Sequence, residues 1–195
     1  MRKWVWLMVA ACLALTLRAK EPPARFVSAV RRALDADAEW TMTKTTVSPA
    51  LTVESSGVVS CFAGRGIVWQ MREPFMQEFR MTTNTLAIVS ELGTETKGLK
   101  DLPYYASVRQ QTDRLLAGDT EPFSDAFSWT WEEVGTGWSM RLLPKRRQFA
   151  RWVKQVSLWG GETVDRAVIV YAGGDQADIR FKESGRKLHK LWETE

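Results

Sequence analysis

Gly66-Ile67-Val68-Trp69-Gln70-Met71-Arg72-Glu73-Pro74 is the stretch that decides the fold. Ile67, Trp69 and Met71 fall on alternate positions. Side chains two apart share one face of a β-strand. Pro74 breaks the run, and the alternation resumes over 78–81 with Phe79 and Met81. The two runs read as a hairpin with Trp, Met, Phe and Met in a block on one face. Large, soft, apolar side chains on one wall suit either a core or a greasy pocket.

Upstream, 25–37 reads as an amphipathic helix, with Phe26, Val27, Val30, Ala33 and Leu34 at helical spacing. Residues 39–46 then alternate, with Trp40 and Met42 on one face, until Ser48-Pro49. Residues 51–62 make one strand or two around Gly57. Downstream, Thr82-Thr83-Asn84 reads as a turn and 85–90 as a strand carrying Leu86 and Ile88. A helix is expected over 102–116, stopped by Gly118. Residues 123–132 alternate through Phe127, Trp129 and Trp131. Gly135-Thr136-Gly137 turns the chain into a paired strand with Trp138, Met140 and Leu142, ended by Pro144. Residues 151–159 read as a strand, although Phe149, Trp152, Val153 and Val156 also fit a helical stripe. Strands over 164–171 and 176–181 flank Ala172-Gly173-Gly174-Asp175, a hairpin signal. One helix, a long meander, an inserted helix and more meander imply an α+β protein. Its sheet is antiparallel, closed or half closed.

The N-terminus reads as a secretory signal peptide over 1–19. Met1-Arg2-Lys3 is a basic start, Trp4 to Leu17 is an uncharged apolar run, and cleavage falls near Ala19. Fourteen residues are fewer than the roughly 20 a membrane-spanning helix needs. Residues 20–195 form one domain, long enough to bury a core. Val9-Ala10-Ala11-Cys12 also matches, weakly, the pattern before a lipidated cysteine, which gives the alternative of an anchor through Cys12. Loss of Arg2, Lys3 and Arg18 takes three cations from 27, leaving 24 basic against 23 acidic residues. The net charge is then +1 in place of +4. No field remains that would demand nucleic acid. Arg146-Arg147 with Lys145 and Arg151 is a local basic cluster that reads as a solvated strand end. Cys61, the one cysteine left, reads as a small buried hydrophobe.

Catalytic motifs are missing. The single histidine, His189, sits in the charged tail. There is no nucleophile elbow, no zinc-protease signature, no metal-spaced cysteine pair and no phosphate-binding loop. Glu132 and Glu133 point to opposite faces of a strand, so they are poor acid–base partners. The reading is of a non-enzyme without cofactor or metal, with a glycosidase-like carboxylate pair from distant strands left open as the enzymatic alternative. What remains is apolar capacity. A curved sheet whose concave face is overfilled makes a dry core; one that helices only cap lines a cavity for an apolar ligand. Both readings stand.

The ordered set of motifs resembles the periplasmic lipoprotein-carrier family, LolA, over about residues 26–183. The helix with Phe26, the strand from Trp40 to Thr46, and Gly57 followed by Trp69-x-Met71-x-x-Pro74 carry the likeness. So do Thr82-Thr83-Asn84-Thr85-Leu86, Arg141-Leu142-Leu143-Pro144-Lys145 and the closing hairpin from Asp175 to Phe181. The family's Arg-Pro before the tryptophan and its Asp-Gly turn are absent, which marks a divergent member. The resemblance implies an incomplete antiparallel β-barrel, a curved sheet covered by a helical lid. It implies a monomeric periplasmic carrier that takes an acylated lipoprotein or lipid client from an inner-membrane exporter. The carrier shields the client's chains and passes it to an outer-membrane acceptor. Arg65 is the candidate contact between lid and barrel. The expected cavity wall is Trp69, Met71, Phe79, Met81, Leu86, Ile88, Phe127, Trp129, Trp131, Trp138, Met140 and Leu142. A lipid- or lipoprotein-sensing binding domain of similar shape is the alternative function.

Overall fold

A computed structural model describes residues 21–184 apart from 36, 63–65, 103–104, 107–108, 111–112, 115–116 and 118. Residues 1–19, read above as a signal peptide, and Cys12, Arg65 and His189 lie outside the described residues. One helix, α1 (Ala24–Asp35), leads into β1 (Ala38–Val47), β2 (Ala50–Phe62), β3 (Gly66–Glu73), β4 (Gln77–Thr82), β5 (Thr85–Ser90) and β6 (Gly93–Gly98). A 3-10 turn, Leu99–Asp101, follows. Of the helix expected over 102–116, residues 105–106, 109–110 and 113–114 are described, and they are helical. A short helix α2 (Glu121–Ala126) precedes β7 (Phe127–Val134) and β8 (Gly137–Pro144). A one-turn helix α3 (Arg147–Ala150) then leads to β9 (Val153–Gly160), β10 (Val164–Tyr171) and β11 (Gln176–Glu183).

All eleven strands form one antiparallel sheet in the order β6-β5-β4-β3-β2-β1-β11-β10-β9-β8-β7. The pairing of β1 with β11 joins the first meander to the last, with Trp40 opposite Phe181 and Met42 opposite Ile179. The sheet does not close, because β6 and β7 are its two edges. It is the open, curved antiparallel sheet that the resemblance implies. Among the described residues no helix is long and apolar enough to cross a membrane.

Three elements depart from the sequence reading. The strand expected from Phe123 begins only at Phe127, because Glu121–Ala126 is a helix with proline in its first turn, where a missing N–H costs nothing. Its Phe123 and Ala126 are buried against the sheet. The ambiguous segment around Trp152 is part helix and part strand, divided between α3 and β9. Strand β6, Gly-Thr-Glu-Thr-Lys-Gly, has no apolar alternation to reveal it. It is an exposed edge, where charged and polar side chains discourage pairing with another chain. Around Gly57 the chain makes one strand, with a bulge in its pairing to β3.

Helix α1 lies across one face of this sheet. Phe26 and Ala29 are buried against Trp138, Met140 and Leu142, together with Phe123 from α2. Surface ion pairs bracket the helix: Arg25 reaches Glu133 at the β7–β8 turn, and Arg32 reaches Glu162 at the β9–β10 turn at 2.7 Å. Pairs this exposed contribute little energy, but they mark where the helix sits.

Candidate functional site

The registers place the twelve candidate wall residues on one face of the sheet. Trp69 pairs with Phe79, and Phe79 with Ile88; Met81 pairs with Leu86. At the other edge Trp129 pairs with Leu142, Trp131 with Met140, and Phe127 with Pro144. The face runs on through Leu158 and Val156, Ala167 and Ile169, Ile179 and Phe181, then Trp40 and Met42 to Val59 and Trp69. Cross-strand neighbours on one face are about 5 Å apart, so these side chains form a continuous apolar surface.

The face is not uniform. On the β7–β8 side it is filled. Phe26 packs on Phe123 at 5.4 Å between ring centroids and edge-on against Trp138 at 5.8 Å. Trp131 stacks on Trp138 at 5.1 Å, and the Trp138 indole N–H donates to the Gly161 carbonyl at 2.9 Å. Trp129, Trp131 and Phe127 pack around this cluster. Here the wall residues form a core.

Toward the middle of the sheet the same face borders a cavity of about 560 Å³. Val30, Ala33 and Leu34 of α1 roof it. Val59 and Cys61 of β2, Leu158 of β9, Ala167 of β10 and Phe181 of β11 floor it. The remaining lining, which includes Asp37, Asp165, Lys182 and Glu183, brings charge to one end of an otherwise apolar space. Beside the cavity on the same face, Trp40 and Ile179 join the floor residue Ala167 in a second buried cluster, with Trp69 and Met71 packed against it. Trp69 lies on Trp40 at 4.8 Å and meets Phe181 edge-on at 6.4 Å. The Trp40 indole N–H is buried and has no hydrogen-bond partner among the described residues.

Two glycines permit this arrangement. A Cβ on Gly57 would meet the Gln70 carbonyl oxygen at 1.8 Å and the Trp40 ring at 2.9 Å. One on Gly160 would meet the Thr163 carbonyl oxygen at 2.0 Å and the Trp138 ring at 2.7 Å. In each case a tryptophan covers a glycine directly opposite it on the next strand.

None of the twelve candidate residues lines the cavity. Trp69 and Met71 pack beside its floor, six build the adjoining core, and Phe79, Met81, Leu86 and Ile88 continue the face along β4 and β5. Four of the lining residues, Ala33, Ala38, Cys61 and Ala167, escape a search for bulky side chains because they are small, whereas Leu158 and Phe181 are bulky and stand on strands outside the expected wall. The signal that finds them is the C-terminal half of the α1 stripe, Val30, Ala33 and Leu34.

Charged chemistry lies elsewhere. On the opposite face Arg166 grips Asp178 with two hydrogen bonds, at 2.9 and 2.6 Å, and stacks over Trp159 at 4.9 Å. Hydrogen bonding to the guanidinium lowers the Asp178 carboxyl below its ordinary value and raises Arg166. Glu78 is buried between Arg80 and Gln70. A second cavity, about 690 Å³, lies between the β4–β5 turn and the helical residues after β6. Polar and charged residues surround it, among them the buried Arg109 held by Asp113 at 2.8 Å, but mostly their apolar atoms face the space. No group of His, Cys, Asp or Glu among the described residues is placed to hold a metal ion.

No protein-family model matches this sequence, and no curated protein matches it. Similar solved structures include a LolA superfamily protein from Nitrosomonas europaea, at 10% identity over 86% of this chain and 94% of that one, with a TM-score of 0.46. An uncharacterized conserved protein from Thermus thermophilus is similar at 12% identity over 85% and 90%, with a TM-score of 0.50. A chain of the Pseudomonas aeruginosa MucA/MucB complex is similar at 8% identity over 86% of this chain and 58% of that one, with a TM-score of 0.45. At such identities the likeness is one of fold.

Proposed function

We propose that the protein is a periplasmic carrier that shields the acyl chains of a lipoprotein or lipid and moves them from the inner to the outer membrane. The observation that carries this reading is the apolar cavity between α1 and the sheet. Its volume of about 560 Å³ falls within the roughly 300–1,000 Å³ range of ligand pockets. Most of its lining is aliphatic or aromatic, which suits the binding of an apolar ligand.

The physics of the task fits the lining. Each methylene buried contributes about 0.8 kcal/mol, so a bare acyl chain does not cross water unaided. A carrier must also let go. Small aliphatic walls grip a flexible chain through area alone, without a directional bond that would fix one ligand. Helix α1 roofs the cavity with three side chains, so lifting its C-terminal half would expose the space. Two arrangements of one element are what a partner membrane protein needs in order to bias loading against release.

Native mass spectrometry of the protein isolated gently from its producing cells tests this reading. The expected result is a population carrying adducts with acyl-chain masses, lost in Val59→Asp. An apo mass alone, with no uptake of an added acylated peptide or fatty acid, would make the cavity a packing defect and end the carrier reading.

A further inference from the structure

The end of the sheet away from the cavity carries a feature that acyl binding does not use. Residues 145–154 hold Lys145, Arg146, Arg147, Arg151 and Lys154 and no acid. In their midst Trp152 is 63% exposed, although tryptophan is among the more buried residue types on average. The Trp152 carbonyl accepts from Ala172 N–H at 2.9 Å, which fixes it beside the β10–β11 turn. The β1–β2 hairpin tip lies on the other side of that turn: Val47 N–H donates to Asp175 at 3.0 Å, and a Cβ on Gly174 would meet the Val47 side chain at 3.2 Å. Val47 and Leu51 on this tip are exposed. Among the cations, Arg146 is met by Asp125 at 3.6 Å, while Arg147, Arg151 and Lys154 are exposed and make no ion pair among the described residues.

We propose that this corner is a membrane-docking surface that seats on an anionic bilayer, with Trp152, Val47 and Leu51 entering the interface and Arg147, Arg151 and Lys154 meeting lipid headgroups. Three observations favour a bilayer over a protein partner. The apolar side chains stand on two turns, Val47 and Leu51 on the β1–β2 tip and Trp152 before β9, and a fluid interface takes each turn separately. Tryptophan, with an apolar body and a polar N–H, suits the headgroup level. The charge around Trp152, over 145–154, is all positive and matches anionic lipid, and the nearby acids Asp125 and Asp175 are held by Arg146 and by the Val47 N–H. The surface is separate from the cavity. Ala38 and Glu183, paired at the cavity end, are seven residues along the strand from the Thr45–Gln176 pair beside the turn, roughly 20 Å away.

Sedimentation of the purified protein with vesicles tests the proposal, using phosphatidylglycerol–phosphatidylcholine mixtures against phosphatidylcholine alone. Binding is expected to the anionic vesicles only and to weaken as salt is raised. Arg147→Gln and Arg151→Gln should each weaken it about fivefold, and Trp152→Ser several-fold. All three positions are exposed, so the circular dichroism spectrum should not change. Val59→Asp, in the cavity, should bind vesicles like the unaltered protein, and the three surface variants should still take up acyl ligand. Equal binding to neutral and anionic vesicles, or surface variants that bind as the unaltered protein does, would overturn the proposal without touching the cavity reading.

Discussion

Two tryptophans on the same face use the same local device with opposite outcomes. Trp138 covers Gly160 and Trp40 covers Gly57, each across an antiparallel pair. Around Trp138 every space is filled, by Phe26 and Ala29 of α1, Phe123 of α2 and Trp131 of the edge strand, and its N–H finds the Gly161 carbonyl. Trp40 is buried as deeply, against Ala167, Ile179 and Trp69, but beside its cluster the helix offers Val30, Ala33 and Leu34, the floor offers Val59, Cys61 and Ala167, and a cavity remains. The single helix α1 thus plugs the sheet with its first half and roofs a space with its second. The difference lies in side-chain size at a few positions, not in a different backbone plan.

Breaking the plugged half should cost most. Phe26→Ala removes a buried ring from the centre of the filled cluster, and such truncations cost about 3–5 kcal/mol. Urea denaturation reads this directly; a loss under about 1 kcal/mol would mean that the two halves are equally loose. Gly57→Ala and Gly160→Ala should each destabilise at or beyond the roughly 1–3 kcal/mol of ordinary overpacking. The added carbon would meet a backbone oxygen at 1.8 or 2.0 Å, of Gln70 on β3 or of Thr163 in the β9–β10 turn, and such an oxygen moves only with its main chain. Similar losses at the two sites would support a shared device, whereas tolerance at Gly57 alone would separate them.

The sequence made the filled half legible and left the open half obscure, for a physical reason. Period-two runs of Trp, Phe and Met announce the strands and the face they share, so the hairpin at Trp69 and the pair at Trp131 and Trp138 could be read directly. A search for bulky apolar residues finds what fills space. It passes over Ala33, Cys61 and Ala167, whose smallness is what leaves the cavity. Phe123 misleads because a residue four before Phe127 satisfies a helical spacing and an alternating one equally. The proline at position 122 was the signal that separates them. Strand β6 was invisible because an exposed edge strand needs no apolar side chain.

Filling the open half should cost nothing or help. Ala33→Phe places a ring in the cavity, and cavity filling commonly adds about 0.5–2 kcal/mol. The same change at Ala29, in the filled half, should destabilise by about 1–3 kcal/mol through overpacking. Thermal melts of the two variants give opposite signs if the comparison is right.

The smallest effect concerns neither half. Asp178 gains its stabilising contact only when ionised, and its carboxyl is held below the ordinary value by the hydrogen bonds from Arg166. Its contribution is present above the unfolded value near 4 and is lost as pH falls through the lower folded value. Both side chains are partly exposed, so Asp178→Asn should cost at most about 1 kcal/mol at neutral pH. The gap between variant and parent should close in acid, as a pH series of denaturation curves would show.

The claim that the unfilled half is the acyl site is tested most directly by titrating a fluorescent fatty-acyl probe into the parent protein, Ala33→Phe and the exposed control Thr43→Ser. Saturable uptake by the parent and the control, lost in Ala33→Phe although that variant melts at the same temperature or higher, is the predicted result. Undiminished uptake by a stably folded Ala33→Phe protein would contradict it and place the ligand elsewhere on the sheet.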